Sequence, residues 1–284
     1  MNVFTKRNLK LFFRDRSAVF FSLMAILVII VLYAAFLGDV WLPDSMQGLL
    51  DDSSLIDSWL VSGLLAVASV TTTMGAFGVM IDDRVKKIDR DFCASPFPKS
   101  RLTAGYLGSA FYIGTIMSVI TFAAAELYIV LRGGDWLAPV PCLKMLLLIF
   151  LSTMANTSVV CFIVSFFQSQ HAFSTASTII GTAIGFLSGI YLPIGSLPSS
   201  VQTVIKLFPV SYSASLFRQI LMRAPMKLSF EGVPAQYLND FREYMGVTYR
   251  CGGHEISPLV CVLILMGTAI VFYALSVVNL SKKS

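Results

Sequence analysis

Few side chains in this chain stand where they could do chemistry. Glu126 is the only carboxylate inside a long apolar stretch, and a charge in hydrocarbon is costly enough to be a functional candidate by default. It lies near the end of its stretch, so reaching lipid headgroups or capping a polar contact is an equal reading. Asn156 is a second polar candidate, weighed the same way. The chain has two histidines, His171 and His254, and five cysteines, none in a CxxC or zinc spacing. H-E-x-x-H and G-x-S-x-G motifs are absent, and Gly133, Gly134 and Asp135 fall in a short turn. Catalysis by this chain has no constellation to rest on. G-x-x-x-x-G-K-[ST] is also missing, so no backbone cradle for nucleotide phosphates is present.

The elements that would hold these residues are runs of about 20 apolar residues, the length that crosses some 30 Å of hydrocarbon. Of 284 residues, 56% are hydrophobic and 13% charged. Candidate spans lie at 18–38, 58–80, 103–131, 143–167, 172–192 and 258–280. Each is expected to be helical, because lipid offers no partner to backbone N–H and C=O groups. The first exceeds a signal-peptide core and lacks a small-residue cleavage site, so it is expected to remain in the mature protein.

Charge sets the sidedness. Lys6, Arg7, Lys10, Arg14 and Arg16 precede span one; Arg84, Lys86, Lys87, Arg90, Lys99 and Arg101 separate spans two and three; Lys282 and Lys283 follow span six. Between spans one and two, Asp39, Asp44, Asp51, Asp52 and Asp57 occur with no Lys or Arg. Positive residues stay inside, which puts both termini in the cytoplasm. The cations flank spans without a nucleic-acid-reading motif, so anionic lipid headgroups are their expected partner. Cys142 and Cys251 share the external side, where pairing is open.

Four segments stand out. Residues 2–16 read as an interfacial amphipathic helix with Lys6, Lys10 and Arg14 on one face, Phe4, Leu11 and Phe12 facing away, either an anchor or a lever for a cytoplasmic partner. Residues 82–101 carry Asp82, Asp83, Arg84 and Asp89 on a cytoplasmic helix that Pro96 and Pro98 would stop, a solvated loop or a docking surface. Beyond span five, Val201, Val204, Ile205 and Phe208 repeat at helical spacing up to Pro209, and a second apolar stretch runs from Tyr212 to Met222. That pattern predicts two short helices dipping into the outer leaflet, with a polar cap over 225–257. Within span five, Ser177, Gly181, Gly185 and Gly189 form a small-residue stripe that suits internal packing, a subunit seam or a pathway lining.

DFCASPFPKSRLTAGYLGS, with Ser95, Pro96, Arg101 and Gly105, resembles the cytoplasmic element of ABC-2 type permeases. SGIYLPIGSLPSSVQTVIKLFPVSYSASLFRQIL resembles their external element through Gly189, Tyr191, Pro193, Leu197, Pro198, Pro209, Tyr212 and Arg218. The two lie in register along the whole chain. Where many members carry Glu-Gly-Thr, this chain has Lys87 and Ile88.

The resemblance implies an all-α integral membrane protein of six transmembrane helices, one domain over 1–284, with an external re-entrant hairpin within 193–257. It implies a plasma-membrane exporter's permease subunit, working as a homodimer or paralogous heterodimer on two ABC nucleotide-binding subunits. ATP and Mg would sit in those partners, with no cofactor in this chain. Lys6, Lys10, Arg14, Asp82, Asp83, Arg84, Asp89, Ser95 and Pro96 would couple to the ATPase, and the span-five stripe with Glu126 and Asn156 would line the path or dimer seam. The apolar spans lean toward an amphipathic or hydrophobic cargo. A passive channel and, more distantly, an intramembrane enzyme are the alternatives; the spans supply few of the polar rings a pore uses.

Overall fold

The computed structural model describes residues 3–32, 53–88, 99–251 and 254–282. Helix α1 (Val3–Arg14) runs almost directly into α2 (Arg16–Leu32). The joint is Asp15, whose carboxylate accepts the Ala18 N–H at 3.0 Å and caps α2. Then come α3 (Ser53–Val85), α4 (Lys99–Leu131), α5 (Pro139–Val164) and α6 (Gln170–Leu187). Pro139 opens α5 where a missing N–H costs nothing, and the Ser169 hydroxyl caps α6 by accepting the Ala172 N–H. A turn of 3-10 helix (Ile194–Ser196) leads to α7 (Ser199–Ile205), α8 (Pro209–Leu221), α9 (Arg223–Ser229) and α10 (Ala235–Tyr244). A two-residue antiparallel ribbon, Arg250–Cys251 with His254–Glu255, precedes α11 (Pro258–Lys282).

Among the described residues, four helical stretches are long and apolar enough to cross a membrane: Ser54–Val85, Arg101–Leu131, Pro139–Val164 and Pro258–Asn279. The apolar part of α2, Arg16–Ile29, is shorter, and α6 opens on Gln170 and His171 and carries several hydroxyls. The spans enclose one another unequally. The most apolar 18 residues of α3 are 78% buried and the helix touches α2, α4, α5, α6 and α8, whereas those of α11 are 22% buried and the helix leans mainly on α5. The fold is a bundle around α3.

Three boundaries differ from the sequence expectation, each for a local reason. Span two was expected to end at residue 80, but α3 continues to Val85, so Asp82, Asp83 and Arg84 form its last turn and not a separate connecting helix. Asp83 and Arg84 find partners on neighbouring elements, Asp82 faces outward, and the helix gives way where Lys87 takes a φ of +59°. Span five was expected to reach residue 192, but α6 stops at Leu187 and the chain turns at Gly189, φ +67°. This left-handed conformation suits glycine, and it takes Gly189 off the helical stripe. Finally, Pro209 opens α8 as its first helical residue. The acids expected between spans one and two at 39, 44, 51 and 52, and Cys93 and Lys283, lie outside the described residues.

The buried interior is partly polar. Asn156 on α5 donates to Ser69 Oγ on α3 at 2.7 Å and to Ser152 Oγ at 3.3 Å, and Ser152 and Ser213 share a 2.9 Å hydrogen bond that reaches α8. Small residues let these helices close up: a Cβ on Gly114 of α4 would lie 2.5 Å from Thr73 Cγ2 and 2.9 Å from Thr153 Cγ2.

Arg218, on α8, is fully buried. Its Nη2 donates to the carbonyls of Ser188 at 2.7 Å and Gly189 at 3.0 Å, and its Nη1 to Gly246 at 3.4 Å. The guanidinium also stands 5.2 Å over the Trp59 ring of α3, whose indole N–H bonds the Met245 carbonyl at 2.9 Å. One cation thus pins the turn after α6 and the turn after α10 to the core helix.

Two substitutions follow from this packing. Gly114→Ala should lower the thermal midpoint in detergent through overpacking worth about 1–3 kcal/mol, whereas Gly75→Ala, which meets nothing within 4 Å, should leave it unchanged or raise it slightly. Arg218→Lys should reduce the yield of monodisperse protein in size-exclusion chromatography, because an ammonium lacks the planar fork that spans three carbonyls.

Candidate functional site

Two connected cavities, of about 250 and 470 Å³, run along α3 and share Thr71, Gly75 and Gln170. The smaller lies between α3 and α6, walled by Val70, Met74, Phe173 and Ile180 with the hydroxyl-bearing Ser174 and Ser177. The larger opens toward the α1 end and is bounded by Leu11, Phe12, Ala18, Ser22, Asp82 and Lys86. Their combined size falls in the range of small-molecule sites. The wall is glycine-lined where it is widest: a Cβ on Gly75 or Gly181 would meet nothing within 4 Å. Other helical glycines, such as Gly63 and Gly105, are filled by a neighbour.

The span-five stripe therefore divides. Ser177 and Gly181 line the groove, Gly185 is occupied by the Tyr191 ring, and Gly189 lies in the turn. Beside it, the exposed face of α6 carries Ser174, Thr175, Thr178 and Thr182 interleaved with the exposed Ile179 and Phe186. Thr178 and Thr182 donate back to the carbonyls of Ser174 and Thr178, so each hydroxyl is satisfied within its helix yet presents a polar oxygen outward. The exposed face of α11 is instead Leu259, Leu263, Ile270, Val271 and Val278. Lipid suits the second face far better than the first.

Asn156 and Glu126 line neither cavity. Asn156 is the internal tie described above. Glu126, buried near the end of α4, accepts the Leu137 N–H at 3.2 Å and holds the 132–138 connection against its own helix. At the same end Asp57 is buried beneath Arg132 (3.6 Å) and accepts the Tyr128 hydroxyl at 2.9 Å.

At the opposite end α1 docks on protein. Its inward face is Thr5, Asn8 and Phe12, and Lys6, Lys10 and Arg14 stand exposed as a ridge on the other side. Arg7 makes a two-pronged pair with Asp83, Nη1 to Oδ2 at 2.8 Å and Nη2 to Oδ1 at 2.9 Å, which holds its guanidinium even more firmly protonated than usual. Tyr106 on α4 donates to the same carboxylate at 2.7 Å, and Asn8 donates to Ser109 at 3.2 Å. Phe4 fills the notch at Gly105 and packs edge-on against Tyr106, while Leu11 faces the larger cavity. Arg84 turns the other way and donates to the Phe167 carbonyl at 2.8 Å and the Val164 carbonyl at 3.4 Å. Only Asp82 of the three remains at the surface, paired loosely with Lys86 at 3.8 Å. Asp89, Ser95 and Pro96 lie outside the described residues.

In the hairpin, Pro193 and Pro198 precede the 3-10 turn and α7, and Tyr212 donates to the Lys206 carbonyl at 2.7 Å. Burial pushes the Tyr249 hydroxyl up to about 12, so it stays a neutral donor to Ser211. Cys142 is a free thiol. Among the described residues no group of three His, Cys, Asp or Glu is placed to hold a metal ion. Sequence reasoning passed over Arg7, Tyr106, Asn8 and Ser109. No local signal set Arg7 apart, since it stands three residues before Lys10 and seven before Arg14, on the side of the helix that they share.

Two comparisons bear on this arrangement. The ABC-2 type transporter family model matches residues 1–222. Nodulation protein J of Rhizobium leguminosarum bv. trifolii is 26% identical over 174 residues, a match covering 60% of this chain and 63% of that protein. The chain thus spans somewhat less than two thirds of that relative's length. With the family match running from α1 through the buried Arg218, the chain belongs to the ABC-2 type transporter family and is a multi-pass membrane protein.

Proposed function

We propose that this chain is the permease subunit of an ATP-driven exporter that moves an amphipathic or hydrophobic cargo along the α3–α6 groove. The observation that carries the reading is the exposed face of α6, whose hydroxyl row borders the groove and is ill suited to lipid. A second permease, identical or paralogous, would cover that face, and the path would run between the two copies. The groove has apolar walls from Val70, Met74 and Ile180 and a charged mouth at Asp82 and Lys86, which suits a molecule with a polar head and an apolar body.

In this reading the chain crosses the bilayer six times with both termini inside, α2 and α6 being the two further spans. The α7–α8 hairpin re-enters the membrane from outside. Its non-helical backbone is tolerable there because it is buried in protein, as the hydrogen bonds of Arg218, Trp59 and Ser215 support. ATP and Mg bind a partner ATPase. That partner meets the exposed Lys6, Lys10 and Arg14 ridge, Asp82, and the connection between α3 and α4. Closure of the ATPases pushes the two permeases past one another as packed bodies, the general route to alternating access.

Replacing 86–98 with a Gly-Ser linker of equal length should abolish co-purification of the ATPase while the permease still inserts. In intact cells a membrane-impermeant maleimide should label Glu231→Cys and leave Lys87→Cys unlabelled. Retention of the ATPase by the linker variant, or external labelling at position 87, would overturn the reading.

A further inference from the structure

The last turn of α3 carries three consecutive charges, and a helix advances about 100° per residue, so they point in three directions. Asp83 faces α1 and α4, where it holds Arg7 through two hydrogen bonds and Tyr106 through a third. Arg84 faces the α5–α6 turn, where it takes two carbonyls from the end of α5, a place whose partial negative charge favours a cation. The turn it grips ends at Ser169, the cap of α6. The same short stretch therefore holds the arm ahead of α2 and the start of α6, which are the two flanks of the groove.

We propose that Asp83 and Arg84 are positioning residues for transport: they pass a displacement of the α3 end to α1 and α4 through Asp83 and to the α6 wall through Arg84, so that the groove changes width as a unit. This rests on the reading above. Asp83 borders the larger cavity, but its carboxylate is taken up by Arg7 and Tyr106, and the two residues act through Arg7, Tyr106 and the Val164 and Phe167 carbonyls. A forked guanidinium–carboxylate pair suits this task better than apolar packing does, because two parallel hydrogen bonds fix register and direction, whereas greasy surfaces slide. The surroundings reinforce the grip. Thr5 donates to the Gly105 carbonyl at 3.4 Å, and Phe4 in the Gly105 notch keeps α1 from rolling. Lys86 and Lys87 begin the α3–α4 connection directly after these residues, so any push on that connection arrives first at this turn.

The test uses the assembled permease–ATPase complex in lipid nanodiscs, with the native cysteines replaced and Gly181→Cys as reporter on the open groove wall. The labelling rate of that cysteine by a small maleimide is compared without nucleotide and after trapping with ATP, Mg and vanadate. In the otherwise unsubstituted complex trapping should change the rate about fivefold or more, the scale of an ordinary coupling between sites. Asp83→Asn and Arg84→Gln should each abolish most of that change with the ATPase still bound, Arg7→Lys should be intermediate, and Arg7→Asp with Asp83→Arg should restore much of it. An unaltered response in both single variants overturns the proposal. So does a response lost only in proportion to lost complex and not recovered in the charge swap, which marks a structural role. No response in the unsubstituted complex would instead sink the transport reading itself.

Discussion

Backbone carbonyls that leave a helical ladder inside a packed bundle must find donors, and at the hairpin end of this protein the fold is organised around that demand. The turns after α6 and after α10 expose the carbonyls of Ser188, Gly189, Met245, Gly246 and Val247 to the interior. Arg218 takes three of them, Trp59 one, and Ser215 and Gln219 share the last. All but Trp59 of these donors lie on α8. That short helix packs Val210, Leu216, Phe217 and Leu221 into the core and is at the same time the donor strip for two irregular turns. An arginine fully out of water with no carboxylate beside it is affordable only because the carbonyl ends of two helices converge on it. Gly189 and Gly246, both at positive φ, present their carbonyls toward that point.

The middle of the bundle obeys a different rule. Between α3, α4 and α5 the side chains are small and hydroxylated, and contact is made by closeness and short hydrogen bonds, as at Gly114 and the Asn156, Ser69, Ser152 and Ser213 chain. Membrane helices gain little from apolar burial against one another, since lipid is as apolar as leucine, so small residues and satisfied polar groups supply the specificity. By the same logic the hydroxyls on the outer face of α6 stand out. They resemble the interior surface of α3 more than the lipid-facing surface of α11.

Much of this was legible in the sequence. Apolar run length marks the four long apolar helices found among the described residues, and helical spacing at Val201, Val204 and Ile205 marks the short helix α7. The small-residue stripe marks a close approach at Gly185 and, in the turn, at Gly189, whereas Ser177 and Gly181 line the groove. What sequence could not yield is direction. Asp82, Asp83 and Arg84 look alike as a charge run, and only the rotation of α3 decides that one faces solvent, one faces Arg7 and one faces the α5 carbonyls. Gly189 likewise fits the i+4 spacing of a helix, and nothing local says that the helix ends two residues before it. Arg7 was hidden for a related reason, since its partner lies 76 residues away.

The two ends of the molecule therefore differ in how they can move. At the hairpin end the ties are carbonyl hydrogen bonds to a buried cation, with no exchange partner in reach; breaking one strands a charge or a carbonyl out of water, so this end behaves as a rigid block. At the α1 end the tie is an ion pair at the rim in which Asp83 is buried but Arg7 is about a third exposed, so water reaches the guanidinium. A bundle built this way bends where its bonds can be exchanged and resists where they cannot. In the proposed cycle a motion begun at the α1 end would swing α1, α4 and the start of α6 about the hairpin, and the groove between α3 and α6 lies where that swing would have effect.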